Sequence, residues 1–176
     1  MKIDGNQMHS WAKDLFPICR SITGQGTRKT LSYFEKLNPE FKRIKFKTNQ
    51  KVFDWIIPEE WNIKDAYIEH ESGKKFAEFK KCNLHVINYS SPINKRISKK
   101  ELLNYIYTQK DQLDAIPYVT SYYEKRWGFC VTENFKKSLK PSLYHAYIDS
   151  DIKPGVLNYA DLIIPGETEK EIFFST

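Results

Sequence analysis

Cysteine is scarce in this chain. Cys19, Cys82 and Cys130 are odd in number and lie far apart, so they form neither a disulfide framework nor a CxxC zinc pattern, and they suit a reducing compartment. His9, His70, His85 and His145 are equally scattered, with no HExxH spacing that would set two imidazoles on one helix face. No recognisable metal centre follows from the residues. No stretch approaches the roughly 18 uninterrupted apolar residues of a spanning helix, and "MKIDGNQMHSWAK" lacks a signal-peptide core. The expectation is a cytoplasmic protein without a membrane segment. Arginine is also rare: only five of the 28 cationic residues are Arg, and the lysines are spread among Asp and Glu. A net charge of +6 distributed in that way argues against nucleic acid as a partner, because a phosphate-binding surface needs clustered cations.

What is present is apolar and aromatic. A chain of 176 residues that is 40% hydrophobic and 15% aromatic can bury a real core, as one domain or as one domain and part of another. From Gln7 to Cys19, Met8, Trp11, Ala12, Leu15 and Ile18 recur at three- and four-residue steps, which predicts an amphipathic helix that Pro17 ends or bends. A second helix is expected from Thr27 to Leu37, stopped by Asn38-Pro39. Beyond them "FKRIKFK" at 41–47 alternates as a half-exposed strand does.

The middle of the chain changes texture. Short strand-like segments are predicted at 52–57, 66–69, 75–79, 84–89, 127–131 and 144–149. Two small helices interrupt them. One, at 99–106, follows the capping box Ser98/Glu101; the other, at 133–139, follows Thr132 and halts at Pro141. After the turn "SDIKPG", Val156–Ile164 and Glu171–Ser175 read as a terminal strand pair, with Ile172, Phe173 and Phe174 the kind of residues that neighbouring strands pin. Between the first two helices, "CRSITGQGTRKT" places two glycines, Ser21, Thr23 and Arg28 at a helix start. That is either a tight helix–helix turn or a backbone cradle for an anion.

Four segments, "RSITGQGTR", "VFDWIIPEEWNIKDAYI", "IPYVTSYYEKRWGFC" and "LIIPGETEKEIFFST", occur here in one order. Together they resemble the bacterial aminopeptidase-like proteins of surface-polysaccharide and glycan biosynthesis clusters, over essentially the whole chain. The resemblance implies an α+β chain with two N-terminal helices, a β-rich inserted accessory domain, and the first strands of an incomplete α/β zinc-exopeptidase-like domain. Its expected division is 1–50 for the N-terminal helices and first strand, 51–150 for the accessory domain, and 151–176 for the strand pair. In that family the strand matching "EIFFST" leads into an HxxHP-type segment, and carboxylate ligands follow later. No residue here matches those metal ligands, so zinc is expected only in a full-length family member and this chain by itself is expected to be inactive.

What such a part can supply is confinement of a substrate. Asp54, Trp55 and Trp61 in "FDWIIPEEW", and Tyr122, Tyr123, Arg126 and Trp127 in "SYYEKRW", mix aromatic walls with charged tips, although aromatics also dominate ordinary cores. Arg20 and Arg126 are the best candidates to hold an anionic group. The expected partners are the rest of the aminopeptidase-like domain or a second copy joined through the terminal strand, with a glycan or peptide as ligand. The alternative is a stand-alone, non-catalytic sugar- or protein-binding module.

Overall fold

Asp4 opens the first helix by accepting the Gln7 N–H at 2.9 Å, and helix α1 runs Gly5–Leu15. It stops short of the expected Cys19 because Pro17 has no N–H with which to continue the ladder; Phe16 before it keeps helical angles and still donates to the Ala12 carbonyl. The computed structural model describes residues 4–175 of the chain. Helix α2, Gln25–Leu37, ends at Asn38. The next strand, β1 at Lys42–Lys47, leads away into the middle segment.

That segment is built on two long strands. β4 (Glu60–His70) and β9 (Leu143–Lys153), 11 residues each, pair antiparallel with an irregularity between Ile63 and Asp65, flanked by β5 (Lys75–Phe76) and β6 (Ile93–Ser98) in the order β5-β4-β9-β6. Tyr144, Ala146, Ile148 and Ser150 of β9 are buried in alternation, the period-2 pattern of a sheet with one face covered. The cover comes from Val86, Leu102, Ile106, Phe129, Val131 and Leu139, which form one core with Ala66, Ile68 and Ile97 of the sheet. Both long strands exceed their expected lengths. Polar stretches such as Asn62 to Asp65 and Asp149 to Asp151 are held extended against each other by the ladder between the two strands, and propensity does not foresee that.

The remaining departures have local causes. Residues 52–57 form a hairpin, β2 (Lys51–Val52) against β3 (Trp55–Ile56), because Phe53 turns the chain at φ 55°. Residues 84–89 contribute a 3-10 turn at Asn83–His85 and only the isolated bridges Val86–Phe129 and Asn88–Thr120. Strand β6 was not expected from sequence, since in INKRIS only Ile97 is buried. The helix after Ser98 shortens to α3 (Lys99–Leu102), a 3-10 turn (Leu103–Tyr105) and β7 (Ile106–Tyr107), which pairs in parallel with β8 (Phe129–Cys130). Ser98 and Thr132 do cap their helices, accepting the Glu101 N–H at 3.2 Å and the Phe135 N–H at 3.0 Å; the second helix is α4 (Glu133–Ser138).

Strand β10 (Val156–Asp161) returns antiparallel beside β1, from Lys42–Asp161 to Lys47–Val156, with Phe46 stacked on Tyr159 at 5.9 Å. The middle segment thus leaves and re-enters at adjacent points. The strands expected at 162–164 and 171–175 do not form. A strand needs a neighbour for its N–H and C=O groups, and no described segment pairs with these residues. Ile163, Ile164, Ile172, Phe173 and Phe174 are accordingly 72–87% exposed.

Candidate functional site

The glycine-containing turn proves to be a joint. Helix α2 starts at Gly24, whose φ of 95° and close approach to the Trp61 carbonyl exclude any side chain. The first N–H of the helix, from Gln25, is taken by Asn62 Oδ1 at 2.8 Å. Thr23, 1% exposed, shares a 2.6 Å hydrogen bond with the Tyr89 hydroxyl and accepts the Trp61 N–H at 3.2 Å. One turn further on, Arg28 grips Glu60 through both guanidinium nitrogens, at 2.8 and 2.5 Å. The Glu60 carboxylate also accepts from Asn62 Nδ2 and the Val156 N–H, so it meets α2, β4 and β10 together. The Arg28 bond, reinforced by those of Asn62 and Val156 and opposed by burial, holds the Glu60 carboxyl at about 2. The anion cradle envisaged here is therefore not open: the helix start and Arg28 are already satisfied by Asn62 and Glu60.

Beside the joint lies an aromatic face. Arg20 lines a cavity of about 220 Å³ with Phe16, Ile18, Asn88 and Tyr118. Its guanidinium donates to the Leu15 carbonyl at 2.8 Å and meets no carboxylate among the described residues. Asn88 donates its Nδ2 to the Arg20 carbonyl, while its buried Oδ1 has no partner. Tyr118 neighbours Tyr122; desolvation first, then that phenol, raises the Tyr118 hydroxyl to about 12, so it is a neutral donor at ordinary pH. Tyr122 packs edge-on against buried Tyr89 at 5.2 Å. Next to it Tyr123, 64% exposed, donates its hydroxyl to the Ile56 carbonyl at 2.9 Å and so ties this stretch to the β2–β3 hairpin. Phe53, Asp54 and Trp55 stand exposed at that hairpin.

Tyr122 and Tyr123 thus stand between Tyr118 of the Arg20 cavity and Ile56 of the hairpin that carries Asp54 and Trp55, while the other candidates are taken up in packing. Trp61 is core, 3% exposed, stacked on Tyr89 and donating to the Ser90 carbonyl at 3.0 Å. Trp127 stacks on Tyr105 at 3.8 Å and packs edge-on against Phe129. Arg126 donates to the Thr120 carbonyl at 2.8 Å, lies 3.5 Å from Glu124 and sits over the Tyr107 ring. Phe53, Asn88 and Tyr118 were overlooked in sequence, although Phe53 and Tyr118 lie inside the quoted segments and exposed aromatics beside a turn were the available signal. Zinc does not fit the described donors. They contain no group of three or more His, Cys, Asp or Glu able to hold an ion, and His85 and His145 are engaged by the Cys130 carbonyl and by Asn94.

An antiparallel sheet covered on one face, with helix α2 joined to its end through Gln25 and Arg28 and helix α1 tied to α2 by the Tyr33–Asp14 bond, makes an α+β chain. The chain belongs to the family described as a domain of unknown function, DUF2172, whose model matches residues 60–151. That span begins with β4 and closes within β9. A protein of Clostridium acetobutylicum, provisionally named a polysaccharide biosynthesis protein with an aminopeptidase-like domain, is 45% identical over 98% of this chain. The chain spans 39% of that relative's length. A crystal structure of a Clostridium acetobutylicum protein provisionally described as a peptidase superposes with a TM-score of 0.86 at 44% identity, covering 89% of this chain and 37% of the other. No helix among the described residues is long and apolar enough to cross a membrane.

Proposed function

We propose that this chain is the N-terminal accessory part of an aminopeptidase-like protein of surface-polysaccharide biosynthesis, and that it confines substrate while metal chemistry is supplied by other segments of such a protein. The observation that carries the reading is the 45% identity across 98% of the chain to a relative of which it spans only 39%. The division 1–50, 51–150 and 151–176 belongs to the same reading. The side-by-side strands β1 and β10 support it, since an inserted unit must leave and re-enter its host at nearby points. The partner is the remainder of the aminopeptidase-like domain, which would cover the apolar groups of Ile172, Phe173 and Phe174. The free thiols of Cys19, Cys82 and Cys130 fit a cytoplasmic setting.

The confining surface is the stretch from Arg20 through Tyr118 and Tyr123 to Trp55. Aromatic rings offer apolar area at little cost in side-chain freedom, and Arg20 offers a charge that no carboxylate of the described residues neutralises. A single such face binds weakly, with a dissociation constant on the order of 1 mM. Titration of the chain with a short peptide and with an acidic oligosaccharide, followed by the Trp55 indole NMR resonance, tests this. A shift with one of the two, abolished by Tyr123→Ala and Arg20→Ala, is expected and names the substrate class. No movement of that resonance with either ligand at 20 mM would remove the face from the proposal.

A further inference from the structure

A second cleft lies at the other end of the sheet. The joint sits where β4 begins and β9 ends, while this cleft opens where β4 ends at His70 and β9 begins at Leu143, on the order of 30 Å away along the 11-residue strands. Its volume is about 300 Å³, at the small end of ligand pockets. It belongs to neither the joint nor the aromatic face.

Its lining divides by chemistry. Phe76 and Phe135, tilted with ring centres 5.3 Å apart, and buried Leu139 provide an apolar wall. Lys74 from the β4–β5 turn and Lys140 from the loop after α4 line it from separate parts of the chain, the Lys140 carbonyl accepting the Tyr144 hydroxyl at 2.8 Å, and neither lysine forms an ion pair among the described residues. The nearest acidic neighbour in sequence, Glu71, instead accepts from the Ser142 hydroxyl at 2.6 Å. Lys74 lies 5.1 Å from the centre of the Phe76 ring, so charge and apolar wall are adjacent. His70 is fixed by Tyr144, edge-on at 5.3 Å, and by Ser72, whose backbone N–H donates to Nδ1 at 3.1 Å and whose hydroxyl lies 2.9 Å from it. Because Nδ1 accepts, the neutral ring carries its proton on Nε2, and that N–H is uncommitted to any described partner.

Two cations, one imidazole donor and an aromatic wall in so small a space match a ring-sized molecule that bears one anionic substituent. We propose that this cleft binds an anionic monosaccharide, its carboxylate or phosphate held between Lys74 and Lys140, its hydroxyls met by His70 and Ser72, and its C–H face laid on Phe76 and Phe135. A free inorganic anion would use the lysines and leave the wall bare. A neutral sugar would use the wall and leave the lysines unpaired. The site stands apart from the aromatic face, so either can fail without the other.

The test is calorimetry and NMR titration of the whole chain with four probes: glucuronate, glucose 6-phosphate, glucose and inorganic phosphate. Glucuronate or glucose 6-phosphate should bind at or below about 1 mM, at least tenfold tighter than glucose and than inorganic phosphate, while moving the His70 ring resonances. The tighter of the two identifies the anionic group. Lys74→Gln and Lys140→Gln, both at exposed positions where folding is unaffected, should each weaken that binding at least tenfold, and unchanged circular dichroism checks their fold. Equal affinity for inorganic phosphate and glucose 6-phosphate, undiminished binding in both variants, or no binding by either acidic sugar at 10 mM would each overturn the proposal.

Discussion

Arg28→Ala is expected to destabilise the chain by about 3–5 kcal/mol, because it strands a carboxylate that the fold has taken out of water. Glu60 is 7% exposed, and the two guanidinium bonds to it are supported by Asn62 and the Val156 N–H. Removing the partner leaves that charge facing backbone that cannot move away, since β4 and β10 both border it. The same pair sets the acid limit of stability. With its carboxyl lowered from 4.5 to about 2, Glu60 binds its proton less readily in the folded state than in the unfolded one. Its contribution, on the order of 2–3 kcal/mol, is therefore fully present above about pH 4.5 and is lost as the pH falls towards 2. Urea unfolding of the parent and of Glu60→Gln between pH 6 and pH 3 checks the sign: the parent should lose stability more steeply. An Arg28→Ala chain within 1 kcal/mol of the parent would show that the grip on Glu60 is a surface ion pair of little worth.

Gly24→Ala should open the joint. Its φ of 95° with an extended ψ is a conformation nearly reserved for glycine, and a Cβ there would overlap the Trp61 carbonyl. The strain alone costs about 1–3 kcal/mol. Relief requires α2 to back away, breaking the Gln25–Asn62 and Thr23–Tyr89 bonds; hydrogen bonds of this kind contribute about 1 kcal/mol each. The expected total is about 3 kcal/mol or more, with loss of hydrogen-exchange protection in α2 and retained protection in β4 and β9, whose core lies beyond the joint. A melting temperature unchanged by the substitution, or uniform loss of protection across the sheet, would contradict a separable joint.

These two expectations also show what could be read from the residues alone. Periodicity located both N-terminal helices, strand β1 and the capped turns at Ser98 and Thr132, because each is set by local chemistry. The full extent of β4 and β9 was hidden: their polar stretches are extended only because partners elsewhere in the chain hold them. Strand β6 was hidden for the same reason, showing one buried side chain, Ile97. In the turn at 19–30, glycines and Arg28 were recognised as special, yet their use was not. Whether an arginine meets a ligand or Glu60 depends on a residue 32 positions away, and no local pattern records that. Tyr123 and Trp55, singled out from their clusters, lie exposed; that Trp61 would be buried and Trp127 packed partly buried against the core could be decided only by the fold.

The central functional claim is that this chain confines substrate and leaves metal chemistry to other segments of a larger protein. The most direct measurement is made on the purified chain: bound zinc by mass spectrometry after incubation with the metal, together with release of amino acids from aminoacyl sugars and short peptides. The account predicts zinc well below one ion per chain and no release above buffer. One tightly held zinc per chain, with hydrolysis that a chelator abolishes and zinc restores, would contradict it.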